Sequence, residues 1–171
     1  MKKKLAGLAS VALIIIFISL SISACAKTDG EVEEANLDDF APFKITSFDA
    51  QEIDLEKLRG SVVVVNFWAS WCGPCKMEAR ELEAVYKANK AKGVKFVGIA
   101  VDDTDKDARA FLKHYAITYP NAIDSDDALS RVYQIFAIPT TFVLDKAGKI
   151  RFKRQGAVTR ETLEAEIRKV K

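Results

Sequence analysis

Histidine occurs once in these 171 residues and cysteine three times, and the two charge signs nearly cancel. Each shortage removes a class of function. A closed zinc site takes about four ligands. Beyond Cys72 and Cys75 the chain offers only Cys25 and His114, so no metal centre is expected, and His114 reads as a surface residue. The formal charge of +2 comes from 26 basic and 24 acidic residues, and Lys2, Lys3 and Lys4 supply three of the basic ones. Without them the chain carries 23 basic against 24 acidic side chains, a net of −1, which leaves no footprint for nucleic acid. Internal repeats and further linkers are also missing. The length therefore points to one globular domain with appendages.

Those three lysines are the only charges in the first 24 residues, and an uncharged apolar run from Leu5 to Ala24 follows them. A basic head with an apolar body reads as an export signal. The run is also long enough to span a bilayer uncleaved, for which about 20 residues suffice. Ile22-Ser23-Ala24-Cys25 resembles the bacterial lipobox. That resemblance implies a lipoprotein signal peptide over 1–24 and a lipidated Cys25 as the mature N-terminus. Under either reading the lysines stay inside and the rest of the chain lies outside the cytoplasm. Residues 25–40 are acidic and poor in apolar side chains, and read as a solvated tether ahead of a domain at 41–171. One lipidated cysteine and one pair leave no cysteine over.

The chain is organised around Asn66-Phe67-Trp68-Ala69-Ser70-Trp71-Cys72-Gly73-Pro74-Cys75-Lys76. The β-branched run Val62 to Val65 predicts a strand buried on both faces of a partly parallel sheet. A helix is expected to leave from the cysteines. Cys72 and Cys75 then share one face, at a spacing that suits a disulfide. Pro74 is tolerated in a first turn, which has no intrahelical N–H bond to lose. At the helix start Cys72 meets the positive end of the dipole, which favours a thiolate, whereas Cys75 lies a turn deeper. An acidic, accessible thiol beside a protected one is the arrangement for reversible thiol–disulfide exchange. A merely structural bridge closing so short a loop would restrict the unfolded chain little.

Glu78 shares the helix face of Cys75, Leu82 and Val85, with no attractive i±3 or i±4 charge partner. Desolvation there should raise its pKa toward neutrality, where it could exchange protons with Cys75. Further on, short β pieces are expected between Phe43 and Leu55, and a helical turn from Leu55 to Arg59. Next come a strand at Val94 to Val101, carboxylate caps around Asp102 to Asp105, and a helix bearing Ala108, Phe111, Leu112 and Tyr115. A short strand near Thr118 to Ile123 leads to a helix from about Asp126, with Leu129, Val132 and Tyr133 facing inward. Strands at Phe142 to Leu144 and Lys149 to Phe152 and a helix over Thr159 to Val170 complete an α/β sandwich.

Three motifs in order carry a family resemblance: Phe67-Trp68-Ala69-Ser70-Trp71-Cys72-Gly73-Pro74-Cys75, Ile138-Pro139-Thr140-Thr141-Phe142 and Gly148-Lys149-Ile150. From about Ala41 to Val170 the chain resembles the thioredoxin superfamily, and in particular its membrane-anchored TlpA/ResA-like branch of thiol–disulfide oxidoreductases. The resemblance implies a thioredoxin-like fold, with a central mixed β-sheet flanked by helices and an N-terminal β extension. It implies that Cys72 attacks a substrate disulfide, that Cys75 resolves the mixed disulfide, and that Ile138-Pro139 is a cis bond facing them. Trp71, Gly73, Pro74, Ile138 and Pro139 then form the substrate face, and Glu78 holds a position where ResA-like members carry a glutamate near the cysteines. The implied partners are protein thiols and disulfides, for example those of apocytochrome c, a membrane electron-donor protein, and the membrane itself through the lipid anchor. No cofactor beyond the Cys72–Cys75 pair is implied. Two positions depart from the pattern. Arg80 stands where many relatives have proline, and Asn66 where plain thioredoxin has a buried aspartate. Two other readings are a peroxiredoxin-like peroxidase, disfavoured by Ala69 where such enzymes carry threonine, and a non-enzymatic lipoprotein interaction module.

Overall fold

In a computed structural model of the chain, residues 40–170 are described; the expected signal peptide over 1–24, Cys25 and all but the last residue of the expected tether lie outside the described residues. Chain order explains the architecture. A hairpin comes first, β1 (Lys44–Thr46) against β2 (Glu52–Asp54), with Ile45 opposite Ile53. A single 3-10 turn, Glu56–Leu58, then ends near Gly60, whose φ of 86° suits a residue without Cβ. Next are β3 (Val63–Trp68), α1 (Gly73–Asn89), β4 (Lys95–Val101), α2 (Asp105–His114), β5 (Asn121–Asp124), α3 (Ala128–Val132), β6 (Thr140–Leu144), β7 (Ile150–Gln155) and α4 (Arg160–Lys169).

The main sheet runs β5-β4-β3-β6-β7. Strands β3, β4 and β5 are parallel, and β6 and β7 are antiparallel additions. All six residues of β3 are buried, as a central strand with covered faces requires. Its side chains alternate between two cores. Val63, Val65 and Phe67 join Phe142, Ile99, Phe40 and Tyr133 on one face. Val62 and Val64 meet Leu82 and Val85 of α1 and Leu163 and Ile167 of α4 on the other. This is the expected thioredoxin-like α/β fold, and the hairpin is its N-terminal β extension.

Two local expectations need correction. Val132 was expected to face inward but is exposed, because α3 has only five residues and packs through Leu129 and Tyr133, which leaves Val132 on the wet flank. Phe40, read as the last tether residue, is 3% exposed and stacks on Tyr133 at 3.9 Å between ring centroids. With one large ring after an acidic run, composition alone placed it in the tether. No helix among the described residues is long and apolar enough to cross a membrane.

Candidate active site

Strand β3 delivers the chain to the site at its carboxyl end, and α1 begins immediately after Cys72. Cys72 is the N-cap of α1, with extended backbone, and its Sγ accepts the N–H of Cys75 at 3.2 Å. The Lys76 N–H bonds the Cys72 carbonyl, also at 3.2 Å. Pro74 removes one N–H that would otherwise need a partner in this turn. Cys72 and Cys75 are joined as a disulfide, with Cα atoms 5.3 Å apart. Cys72 is 4% exposed and Cys75 1%, so in the disulfide form both residues are buried, Cys72 less accessible than its place at the helix start suggests, and Cys75 is the deeper. The Ile138–Pro139 bond is cis, and the Ile138 carbonyl oxygen lies 3.7 Å from Cys72 Sγ. Two segments 66 residues apart in sequence thus meet at Cys72 Sγ.

The turn before Cys72 is pinned by a residue assigned to another task. Asp103 was grouped with its neighbours as a helix cap. The cap of α2 is instead Thr104, whose hydroxyl oxygen accepts the Asp107 N–H at 3.1 Å. Asp103 turns its carboxylate to Ser70, accepting the backbone N–H at 2.6 Å and the hydroxyl at 2.8 Å. The Trp71 indole N–H donates to the Asp102 carbonyl at 2.7 Å, which fixes a ring that is largely in water. Arg80 lies within an α1 that continues unbroken to Asn89, with its guanidinium 5.9 Å from the centroid of the Tyr115 ring.

Glu78 is buried on the same face of α1 as Cys75. Its Oε1 accepts from the Asn66 side-chain amide at 2.9 Å and its Oε2 from the Val158 N–H at 2.8 Å. The Asn66 amide also donates to Thr141 Oγ1 at 3.0 Å. Burial pushes the Glu78 carboxyl up to about 7, and the hydrogen bonds from Val158 and Asn66 only partly oppose it. The position that departs from thioredoxin and the candidate proton acceptor are therefore direct neighbours. Val158 was not singled out in the sequence, and Thr141 stood there only as part of the Ile138 to Phe142 motif, because both lie far from Glu78 along the chain. Glu83 was not singled out either. It is buried on α1, accepts from Thr118 N–H and Oγ1 at 2.8 and 2.6 Å, and pairs with Lys87 at 3.1 Å. Its charge and that of Glu78 reinforce the burial that raises Tyr119 far above the usual phenol range. No group of three or more potential metal-ligating side chains is found among the described residues.

A redox-active cysteine pair capping a helix, faced by a cis-proline loop on a five-stranded mixed sheet, defines a thioredoxin-like thiol–disulfide oxidoreductase. The chain belongs to the AhpC/TSA family, whose model matches residues 37–153. Among curated proteins it is similar to the thiol-disulfide oxidoreductase ResA of Bacillus thuringiensis subsp. konkukian, at 34% identity over 128 residues, 75% of this chain and 74% of that protein. Among solved structures it is similar to a Chlorobium tepidum protein assigned as the thiol:disulfide interchange protein DsbE. Identity is 30% and the TM-score 0.73, over 78% of this chain and 95% of that one. A secreted Mycobacterium tuberculosis disulfide oxidoreductase homologous to E. coli DsbE matches at 25% identity and a TM-score of 0.69, over 74% of this chain and 95% of that one. Ser70, Asp103 and Glu83 were missed along with Val158 and Thr141; Asp103 had a signal in its place in the Asp102 to Asp105 cluster, and Ser70 one in its place within the cysteine motif.

Proposed function

We propose that the chain works outside the cytoplasm as a lipid-anchored reductant of protein disulfides, with Cys25 carrying the lipid and a membrane protein supplying electrons. The observation that carries this reading is the N–H bond from Cys75 to Cys72 Sγ at the positive end of α1, a setting that favours a thiolate. The Cys72 thiolate attacks one sulfur of a substrate disulfide, a mixed disulfide forms, and one substrate thiolate leaves. Cys75 then loses its proton, attacks Cys72 Sγ and expels the second substrate thiolate. Two electrons have passed to the substrate and the Cys72–Cys75 bond is restored. Glu78, poised near neutrality, takes the Cys75 proton. Trp71, Gly73, Pro74, Ile138 and Pro139 form the face along which the substrate lies. The haem-attachment cysteines of apocytochrome c are the substrate class that the ResA-like resemblance supplies, and Gly73-Pro74 resembles the reducing members of the superfamily.

The test is a Cys75→Ser variant of the full chain, recovered from membranes of the producing cell. It is expected to hold a partner with paired cysteines in a mixed disulfide through Cys72, and mass spectrometry of the same sample to find lipid on Cys25. Trapping through Cys72→Ser instead would reverse the roles of the two thiols. An unmodified Cys25 behind an intact 1–24 would replace the lipid anchor by a transmembrane one. Peroxide consumption without disulfide reduction would favour a peroxidase, a reading weakened by Ala69, which is buried and offers no hydroxyl three residues before Cys72.

A further inference from the structure

Phe136 is 83% exposed, the most exposed large apolar side chain among the described residues. A lone exposed apolar residue needs no explanation. Its company does. Trp71, at 57%, immediately precedes Cys72, and Met77, at 76%, comes two residues after Cys75. Phe136 itself stands two residues before Ile138, whose carbonyl oxygen is 3.7 Å from Cys72 Sγ. Two residues of chain span at most about 7 Å, so the backbone at 136 stays within that distance of the backbone at Ile138.

The fold does not need this ring. Leu129, Tyr133, Ile135 and Ile138 supply the apolar contacts of the segment. The segment is fixed on both sides of Phe136, by the Ile135 N–H to the Ser130 carbonyl at 2.9 Å and by the Thr140 hydroxyl to the Ala137 carbonyl at 2.6 Å. A polar residue would serve the fold equally well at 136. The ring is thus an exposed apolar surface carried on a fixed stretch of backbone that leads directly into the Ile138 carbonyl facing Cys72 Sγ.

We infer that Phe136, with Trp71, grips a large apolar side chain next to the cysteine of an extended, unfolded protein substrate. The inference rests on the oxidoreductase reading and adds selectivity to it. In a folded protein an apolar residue beside a disulfide is mostly buried and cannot reach this surface. In a small disulfide there is no such residue at all. Only an unfolded chain lying along 136–138 offers both a disulfide and a side chain for the ring to cover. Phe136 is a specificity residue that touches the flank of the substrate and leaves the sulfur exchange to Cys72 and Cys75.

The experiment uses the reduced full chain in non-denaturing detergent and three oxidants: a disulfide peptide with leucine flanking its cysteines, the same peptide with serine there, and hydroxyethyl disulfide. Phe136→Ser is expected to lower the second-order rate with the leucine peptide by about tenfold or more, the scale set by burying one large apolar side chain. Rates with the serine peptide and hydroxyethyl disulfide should stay within about twofold, and Phe136→Leu should restore most of the loss. An unchanged rate on the leucine peptide, or an equal fall with all three oxidants, overturns the inference. If the parent chain reduces none of the three, the oxidoreductase reading itself falls. If it reduces all three at one rate that Phe136→Ser does not alter, only the selectivity falls.

Discussion

Among the described residues the Glu78 carboxylate meets two donors and no cation: the Asn66 amide at 2.9 Å and the Val158 N–H at 2.8 Å. Desolvation outweighs both and lifts it from 4.5 to about 7. In the unfolded chain the group titrates near 4.5, so between these two values the folded protein holds a proton that the unfolded one has lost. Its contribution to stability is therefore fully present below about 4.5 and is lost as pH rises through about 7. Taken in full, the shift corresponds to about 3 kcal/mol, an upper bound. Glu78→Gln removes the ionisation. Gln can still accept from Val158, provided that the Asn66 amide turns over to receive its NH2. Urea unfolding of the oxidised protein at pH 5 and pH 8 is expected to show the variant gaining on its parent by up to about 3 kcal/mol at the higher pH. Alkylation of the reduced protein should show a changed pH profile for Cys75 in the variant. A stability difference that does not move with pH would mean that Glu78 does not titrate in this range. The sequence carried this residue as far as a buried face beside Cys75. It could not carry the two donors, because Asn66 and Val158 reach Glu78 across the sheet and from the entry to α4, and no local spacing records such contacts.

At the scale of elements, the start of α1 is positioned by two neighbours. The cis-proline loop before β6 brings a carbonyl to Cys72, and the segment before α2 supplies Asp103 to Ser70. The loop was legible, since an Ile-Pro-Thr-Thr-Phe motif stands out. The Asp103 contact was not, because a carboxylate just before a helix reads locally as a cap. Thr104 takes that role and frees Asp103 to bond the active-site turn. Asp103→Ala leaves the Ser70 N–H and hydroxyl without their acceptor in a half-buried turn, a loss of about 1–2 kcal/mol in urea unfolding. Insulin-disulfide reduction should slow together with stability, and Asp103→Asn, which keeps one acceptor, should fall between. Full activity and stability in Asp103→Ala would show that the turn holds itself.

The whole molecule was largely legible because its central signal is long and periodic. Val62 to Val65 marked the buried strand, the cysteine motif marked the start of α1, and the strand and helix order followed from alternating apolar periods. The N-terminal edge was harder. Composition ended the tether at residue 40, but the Phe40 ring stacks on Tyr133 at 3.9 Å and meets the edge of Phe142 at 5.0 Å. The Tyr133 hydroxyl donates to the Ala41 carbonyl, so the same residue also ties down the backbone beside Phe40. Tyr133 leads into the segment that carries Phe136 and Ile138. Phe40 and Ala41 are therefore bound to the face of the sheet from which that segment runs to the disulfide. Fully buried phenylalanines cost about 3–5 kcal/mol when cut to alanine, and a ring at the edge of the chain should fall at the low end. Phe40→Ala is expected to lower unfolding stability by about 3 kcal/mol. A chain beginning at residue 41 should lose a similar amount, while one beginning at residue 40 keeps the parent's stability. Equal stability for the chains beginning at 40 and at 41 would return Phe40 to the tether and place the first core residue at Phe43.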